Sequence, residues 1–218
     1  MHGVCQTKYA MHVKRERFVT PRRRIETMEE NRAKLIAAAR QAFAVKGFAA
    51  ASMDELTAAV GLTRGALYHN FGDKTGLLAA VVAQLDGEMA LRAQAVGATA
   101  PNAWEGLLAE ASAYIEMALD PQVRRIVLLD GPAFLGDPSR WPSQNACLEM
   151  TKQAVAQLIA SGVVKPVDSE AAARLLCGAA LNAALWVAAS DQPDLVLPKA
   201  IAAFRLMATG LLAETPPS

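Results

Sequence analysis

The stretch Ser52–Lys74, SMDELTAAVGLTRGALYHNFGDK, predicts two short helices joined by a tight turn. Ser52 precedes Glu55 by three residues, the spacing of a capping box, in which each side chain bonds the other residue's free amide and starts a helix. Gly61 ends that helix, because glycine readily adopts the left-handed backbone of a helix stop, and Leu62 can pack back underneath. The rest of the chain is interpreted outward from this pair of helices.

A second short helix follows the turn. Thr63 can cap it, and the helix is predicted over Arg64–Asn70, with Leu67 and Phe71 pointing inward. Two short helices joined through a glycine turn have the form of a helix-turn-helix, whose second helix enters the DNA major groove. This second helix is therefore predicted to read DNA, and it is called the reader helix below.

The exposed side chains of this motif suit DNA. Arg64 can donate to a guanine edge or a phosphate, and the small Gly65 and Ala66 allow close approach to the bases. Hydroxyl, imidazole and ammonium groups nearby can donate to phosphate oxygens, and the free amides at a helix start offer a further phosphate seat. The predicted DNA-binding residues are Ser52, Thr63, Arg64, Gly65, Ala66, Tyr68, His69 and Lys74.

The run TRGALYHNFGDKTGLL, with the helix KLIAAARQAFAVKGF before it, resembles the DNA-binding domain of the TetR family of one-component transcriptional regulators. The match covers about Asn31–Leu78, and the residues that carry it are Gly47, Phe48, Gly61, Thr63, Arg64, Leu67, Tyr68, Phe71 and Lys74. The remaining chain resembles the family only in being helical and of suitable length. The resemblance implies an all-α protein of about nine helices, with an N-terminal three-helix helix-turn-helix domain and a larger C-terminal domain for ligand binding and dimerisation.

Composition and charge are compatible with this interpretation. The chain has 218 residues, of which 53% are hydrophobic and 20% charged, which is ample for a folded core in one small and one larger domain. Residues 1–80 hold 13 Lys/Arg and 7 Asp/Glu, whereas residues 81–218 hold 9 and 14. The basic part of the chain thus coincides with the predicted DNA-binding part.

The first 28 residues show no helical period and carry a basic cluster at Arg22–Arg24. We expect them to be disordered, and two explanations stay open: a basic arm that lies along DNA, or a start site placed upstream of a true start at Met28. The first helix is predicted from about Asn31 to Lys46. The predicted domains are a disordered basic extension at 1–28, a DNA-binding domain at 29–76 and a ligand-binding and dimerisation domain at 77–218.

A fourth helix, capped by Asp73 and running to about Val96, links the two domains, so its movement would move the reader helix. Further helices are predicted at about 102–119, 121–130, 143–160, 169–189 and 194–212. The segment Gly131–Pro142, GPAFLGDPSRWP, is predicted to be a loop, because its glycines and prolines interrupt any helical pattern. Asp168 and Asp194 are the predicted caps of the last two helices.

The eighth predicted helix carries an unusual number of small residues, which let helices approach closely. They are Gly178, Ala179, Ala183, Ala184 and Ala188. They could pack within one chain or form a four-helix bundle between two chains. We favour the homodimer, because a reader helix needs a twofold partner and members of the resembled family dimerise here.

Cys5, Cys147 and Cys177 lie far apart in sequence, with no His or Cys at metal-ligand spacing. In a reducing cytoplasm we expect Cys147 and Cys177 to be small core residues rather than a redox switch, and we expect no metal and no cofactor. The stretch Ala171–Ser190 is about long enough to span a membrane, but it is rich in alanine and contains an arginine and an asparagine. We expect no membrane partner.

The ligand pocket is expected among the fourth to eighth helices, where aromatic and polarizable side chains are concentrated. The candidates are Trp104, Tyr114, Met117, Phe134, Trp141, Met150, Asn182 and Trp186. Few charges fall among them, so an apolar or weakly polar small-molecule effector is expected.

Three functions are compared. The resemblance implies a homodimeric repressor that binds palindromic double-stranded operator DNA and is released by the effector. An enzyme with an attached DNA-binding head is the alternative, but no nucleophile elbow, metal cluster or phosphate-binding glycine loop occurs in the sequence. A non-specific architectural DNA binder is disfavoured by the acidic, apolar second domain. The chain is predicted not to be an enzyme.

Overall fold

The structure, a computed structural model, describes residues 21–213, and the side chains of residues 26–213. Nine α-helices and no strand lie within that range, which confirms the all-α prediction. The helices are α1 Pro21–Lys46, α2 Met53–Ala59, α3 Arg64–Phe71, α4 Lys74–Gly97, α5 Ala103–Glu116, α6 Gly131–Leu135, α7 Pro142–Ala160, α8 Ser169–Ala189 and α9 Pro193–Thr209. Residues 1–20 of the predicted extension lie outside the described residues.

Helix α1 begins at Pro21, well before the predicted start at about Asn31. Residues 21–28 are therefore helical where the sequence predicted disorder. Proline suits the first helical position, and the arginines, glutamates and methionine that follow are good helix formers. The prediction relied on an apolar period, which begins only at Leu35 and so could not find this polar first part of the helix.

The N-terminal domain is built on the apolar stripe of α1. Leu35, Phe43 and the reader-helix residue Leu67 are fully buried together. Gly47, at φ 77°, ends α1 and turns the chain so that the Phe48 ring meets the Phe43 ring edge-on, with centroids 5.5 Å apart. Phe48 therefore packs against the last turn of α1.

Helix α4 runs from the reader helix into the C-terminal domain. Its buried stripe is Leu77, Leu78, Val81, Val82, Leu85 and Met89, and its principal neighbour is α5. Helix α8 packs against α5, α7 and α9. By length and composition α8 is also the one helix in the described part of the chain that could cross a membrane, yet Ala173, Ala180, Ala184 and Ala188 are buried in these contacts.

The segment predicted as a loop, Gly131–Pro142, is compact and partly helical. The π-helical turns of residues 123–130 continue into α6, and residues 138–140 form a short 3₁₀ turn. Pro132, Pro138 and Pro142 each lie at the start of one of these elements, where the missing amide costs little. The loop prediction was wrong because these prolines begin helices rather than interrupt them.

The caps of the last two helices differ from each other. Asp168 caps α8, since its Oδ1 accepts the Ala171 amide at 2.8 Å, as predicted. Asp194 does not cap α9, because that helix begins one residue earlier, at Pro193, after Gln192. Proline has no backbone N–H, so at the first helical position it leaves one fewer free amide for a side chain to cap.

The N-terminal domain also contacts the C-terminal domain away from α4. The Phe48 amide donates to Asp130 Oδ2 at 2.8 Å, and the Phe48 ring lies against the Phe134 ring of α6, with centroids 4.5 Å apart. The Arg40 side chain donates to Gln122 Oε1 at 2.7 Å. The two domains are thus joined both by α4 and by the turn that follows α1.

Candidate functional site

The reader helix presents a small exposed face. The Thr63 hydroxyl caps α3 by accepting the Ala66 amide at 3.2 Å, and Leu67 anchors the helix in the core. Of the predicted DNA-binding side chains, Arg64, Gly65, Tyr68 and His69 are exposed on this helix, whereas Ala66 is half-buried. Gly61 adopts φ 67°, the left-handed turn that the sequence predicted between α2 and α3.

Ser52 caps α2, but the reciprocal half of the predicted capping box is absent. Ser52 Oγ accepts the Glu55 amide at 3.4 Å. The Glu55 carboxylate instead pairs with Lys46 at the end of α1. A nearby cation outcompetes the Ser52 amide for this carboxylate, because a charge-assisted contact is the stronger one.

Arg64 is held beside α2 by an ion pair, with its Nε 3.3 Å from Asp54 Oδ1. Both side chains are more than half exposed. Exposed pairs of this kind contribute little to stability, about 0–1 kcal/mol. Arg64 can therefore exchange Asp54 for a base or phosphate at small cost.

Lys74, at the start of α4, is oriented by the turn after α1. Its Nζ donates to the Ala49 carbonyl at 3.2 Å and lies 4.7 Å from the centre of the Phe48 ring. Partial burial lowers the pKa of Lys74. Arg32 makes an analogous pair of contacts, with the Asn70 carbonyl at 3.2 Å and the Phe71 ring at 4.6 Å. Two fixed cations thus lie beside the reader helix.

A groove of about 700 Å³ lies between α4, α5 and α7. It is called the interhelical groove here. A smaller inner cavity of about 80 Å³ lies behind it, between α5, α7 and α8. The two spaces adjoin, since they share the lining residues Leu107, Glu110, Cys147 and Thr151, and together they are called the recess. Most of this lining is apolar.

The structure divides the predicted pocket residues among five places. Tyr114 lines the inner cavity and Met150 lines the interhelical groove. Asn182 and Trp186 face outward beside α9. Trp104, Met117 and Trp141 lie in the buried core. Phe134 packs against the Phe48 ring. Two of the eight candidates therefore line the recess, because aromatic character alone does not separate pocket walls from core.

A polar cluster lies in the recess. The buried Asp86 of α4 accepts a hydrogen bond on Oδ2 from Ser143 Oγ at 2.6 Å. Within the described residues, Asp86 Oδ1 and the buried Tyr114 hydroxyl lack a well-oriented hydrogen-bond partner. The Gln144 amide lies beside both groups. Such unpaired buried atoms are costly unless something else bonds them.

Burial determines the ionisation of this cluster. Burial raises the pKa of Asp86, and the Ser143 hydrogen bond and the nearby Gln144 amide only partly oppose it. Burial, followed by the charge of Asp86, raises the pKa of Tyr114, so its hydroxyl stays protonated and can donate. Burial also raises the pKa of Glu110. The recess therefore offers one hydroxyl donor and carboxyl acceptors to a bound molecule.

The sequence contained a signal that Asp86 belongs to the pocket, which the search for aromatic and polarizable side chains missed. Asp86 directly follows Leu85 and precedes Met89 by three residues, so it lies on the buried stripe of α4. An acidic residue at such a position is rarely buried without a function. Ser143 and Gln144 carried no comparable signal, because their role depends on α7 packing against α4.

The two described cysteines also line the recess, which corrects the expectation that they fill the core. Cys147 is exposed to the groove and Cys177 is half-buried behind it. The Cys177 thiol donates to Thr151 Oγ1 at 3.5 Å. Within the described residues, no three acidic, histidine or cysteine side chains cluster closely enough to hold a metal ion.

Two sequence families match the chain. The family described as "Bacterial regulatory proteins, tetR family" matches residues 35–81, which contain the helix-turn-helix. The family described as "Tetracyclin repressor-like, C-terminal domain" matches residues 104–211, which contain α5, α7, α8 and α9. No curated protein matches the chain significantly.

Solved structures match across both domains. A TetR-family transcriptional regulator from Pectobacterium atrosepticum is 48% identical, with a TM-score of 0.80, over 87% of this chain and 97% of its own. The structure of RolR in complex with resorcinol is 20% identical, with a TM-score of 0.63, over 87% of this chain and 98% of its own. A regulator from Shewanella sp. PV-4 has the same identity and TM-score as RolR, over 84% of this chain and 99% of its own. The last two matches support the fold.

Proposed function

The chain belongs to the TetR family of transcriptional regulators, and from that premise we propose that it is an effector-released repressor, acting in the cytoplasm. It binds a palindromic operator as a homodimer and leaves the operator when a small molecule fills the interhelical groove. One observation carries this proposal: α4 is a continuous helix that begins with Lys74 beside the reader helix and contributes Asp86 and Gln94 to the groove.

Operator binding requires a dimer of suitable geometry. Two reader helices enter successive major grooves only when they lie about one DNA turn, or about 34 Å, apart. The outer face of α8 and α9 supports self-association, because it exposes large apolar side chains. These are Leu175, Trp186, Leu195, Leu206 and Met207. A twofold interface on this face would place one reader helix on each side of the dimer.

The release step follows from the position of the groove. A molecule between α4, α5 and α7 that fits only when α4 is displaced also displaces the reader helix, since α3 packs against the start of α4. The spacing of the two reader helices then no longer matches the DNA. A ligand shifts this equilibrium only by its difference in affinity for the two spacings.

The lining indicates the chemistry of the effector. A mostly apolar recess favours an apolar body, and Asp86 Oδ1 favours at least one hydroxyl or amine donor on it. The Tyr114 hydroxyl can donate to an acceptor at the inner end. RolR, which shares this fold, has been solved with resorcinol, which supports a small-molecule site in such a scaffold.

Selection of bound sequences from a pool of random duplexes tests the proposal. We expect a palindrome with half-sites one helical turn apart, and stoichiometric release of that DNA by the effector. Equal affinity for any duplex would instead indicate an architectural DNA binder. Turnover of a bound small molecule would indicate the alternative, an enzyme with a DNA-binding head.

A further inference from the structure

Two thiols meet where the interhelical groove opens into the inner cavity. Cys147 lies on α7 and Cys177 on α8, and both line the inner cavity. Thr151, one turn after Cys147, connects them: it accepts from the Cys177 thiol at 3.5 Å, and its hydroxyl donates to the Cys147 carbonyl at 3.0 Å. Cys147 also faces the open groove, so small solutes can reach the pair.

We propose that a hydroperoxide oxidises Cys147 and Cys177 to a reversible intramolecular disulfide, and that this link between α7 and α8 weakens operator binding. The second part rests on the proposed function, because it requires the recess to control the reader helix. Formation of the disulfide requires no DNA and can be tested separately.

The chemistry assigns a different role to each sulfur. The neighbouring Cys147 thiol lowers the pKa of Cys177, whereas Cys177 and then burial raise the pKa of Cys147. The Cys177 thiolate therefore attacks the hydroperoxide, the O–O bond breaks, and protonation of the leaving oxygen gives an alcohol or water. Cys147 then attacks the resulting sulfenic acid, forming the S–S bond and releasing water. The thiol pair loses two electrons, and a dithiol reductant reverses the step.

The distance to be closed is short. An S–S bond is about 2 Å long, and the two thiols line the same small cavity, close enough to shift each other's pKa. A small displacement of α7 towards α8 therefore suffices.

That displacement would disturb the contacts of α7 with α4. Ser143 of α7 bonds Asp86 at 2.6 Å, and Met150 Sδ lies 3.6 Å from Gln94 Nε2. Cys147 lies between Ser143 and Met150 in α7, so movement at Cys147 affects both contacts. Because α4 begins beside the reader helix, its repositioning changes the spacing on which operator binding depends.

The test treats the full-length protein with hydrogen peroxide and measures intact mass, non-reducing peptide maps and operator affinity. We expect a loss of about 2 Da, a peptide linking Cys147 to Cys177, and operator binding about tenfold weaker, within the usual range of allosteric coupling. Dithiothreitol should restore both the mass and the affinity. Operator binding by the reduced protein is measured first, so that a failure of the proposed function is recognised independently of the mass result.

Three serine variants serve as controls. Cys147→Ser and Cys177→Ser should abolish the crosslink and the peroxide response, whereas Cys5→Ser should retain both. Melting temperatures of the reduced variants show whether they fold like the wild type. Oxidation of the two cysteines without a crosslinking peptide would overturn the disulfide. A crosslink with unchanged operator affinity, or an equal response in folded Cys147→Ser, would overturn the switch.

Discussion

At the scale of single residues, Lys74 is held in place by the Ala49 carbonyl and the Phe48 ring, and we expect it to bind a DNA phosphate. Lys74→Ala should therefore weaken binding to all duplexes alike and reduce the slope of log affinity against log salt by about one. Lys165→Ala, an exposed change between α7 and α8, is the matched control and should leave the slope unchanged. Titrations of specific and random duplexes at several salt concentrations measure both effects. A changed sequence preference would contradict the positioning role.

Arg64 is the residue for which a base-specific effect is expected. Arg64→Ala should cost about 1–3 kcal/mol on the operator and much less on random DNA. Asp54→Asn removes the competing carboxylate at 3.3 Å and should leave operator affinity equal or higher. Equal losses on the operator and on random DNA after Arg64→Ala would show that Arg64 contacts phosphate only.

Asp86 links the ionisation of the recess to stability. Because burial raises its pKa, the folded protein binds this proton more tightly than the unfolded chain does. The stabilisation from the neutral form is fully present below the unfolded pKa of about 3.9 and is lost as the pH rises through the higher folded value. Asp86→Asn should therefore raise the melting temperature at neutral pH, by about 2–4 °C for each kcal/mol gained.

Thermal unfolding from about pH 4 to pH 8 measures the difference in melting temperature between Asp86→Asn and the wild type. This difference should grow with pH and then level off. Ser143→Ala is the companion variant, because it removes the hydroxyl that donates to Asp86 and should raise the pKa of Asp86 further. If Asp86→Asn melts below the wild type at every pH, the carboxylate is stabilising in its charged form.

At the scale of helices, local caps made most boundaries predictable. Thr63, Asp73 and Asp168 each bond an amide three residues ahead, and the corresponding helices begin where the sequence indicated. Elements between residues 117 and 142 were not predictable in this way. Their form depends on tertiary packing: a Cβ on Gly131 would lie 2.7 Å from the Trp141 ring, a contact between residues ten positions apart.

The outer face of α8 and α9 gives the next prediction. Leu206→Glu and Gly178→Glu should yield monomers, because both positions are exposed on this face and a buried unpaired carboxylate opposes association. Val45→Glu is the control, since Val45 is 73% exposed, against 74% for Leu206, but lies on α1. Sedimentation without DNA measures the mass. If both variants remain dimers, the interface lies elsewhere.

The small residues of α8 do not all belong to that face. The sequence grouped Ala184 and Ala188 with Gly178, but Ala184 and Ala188 are fully buried against neighbouring helices. Gly178 is exposed. Helical spacing alone could not distinguish the two sides, because both sides of α8 are rich in small residues. A charged residue at Ala184 would test folding rather than association.

At the scale of the whole molecule, the recess and the reader helix are expected to be thermodynamically coupled. If the effector weakens operator binding by some factor, saturating operator must weaken effector binding by the same factor. Calorimetric titration of an effector with and without operator measures the second quantity, and DNA titration measures the first. We expect a factor of about 5–150 in each. An effector whose affinity is identical with and without operator would contradict the release mechanism.

The recess itself could not be predicted from one sequence. Its walls come from α4, α5 and α7, and its polar cluster requires Ser143 and Gln144 to reach Asp86 across a helix boundary. The reader helix was predictable, because its exposed side chains follow from one short run and one glycine turn. Local patterns specify the DNA-binding face, whereas long-range packing creates the groove.

The division of the groove walls has a consequence for how a regulator with the proposed function acquires new ligand specificities. Two walls of the groove belong to α5 and α7, and only the third belongs to α4, which begins beside the reader helix. Substitutions at Ala146 and Ala154 on α7 can remodel the groove while α4, and with it the register on DNA, stays unchanged. On the proposed function, duplicated genes of this kind can diverge in the compounds they detect while they keep an inherited operator, and a biosensor library is best built on the same two positions.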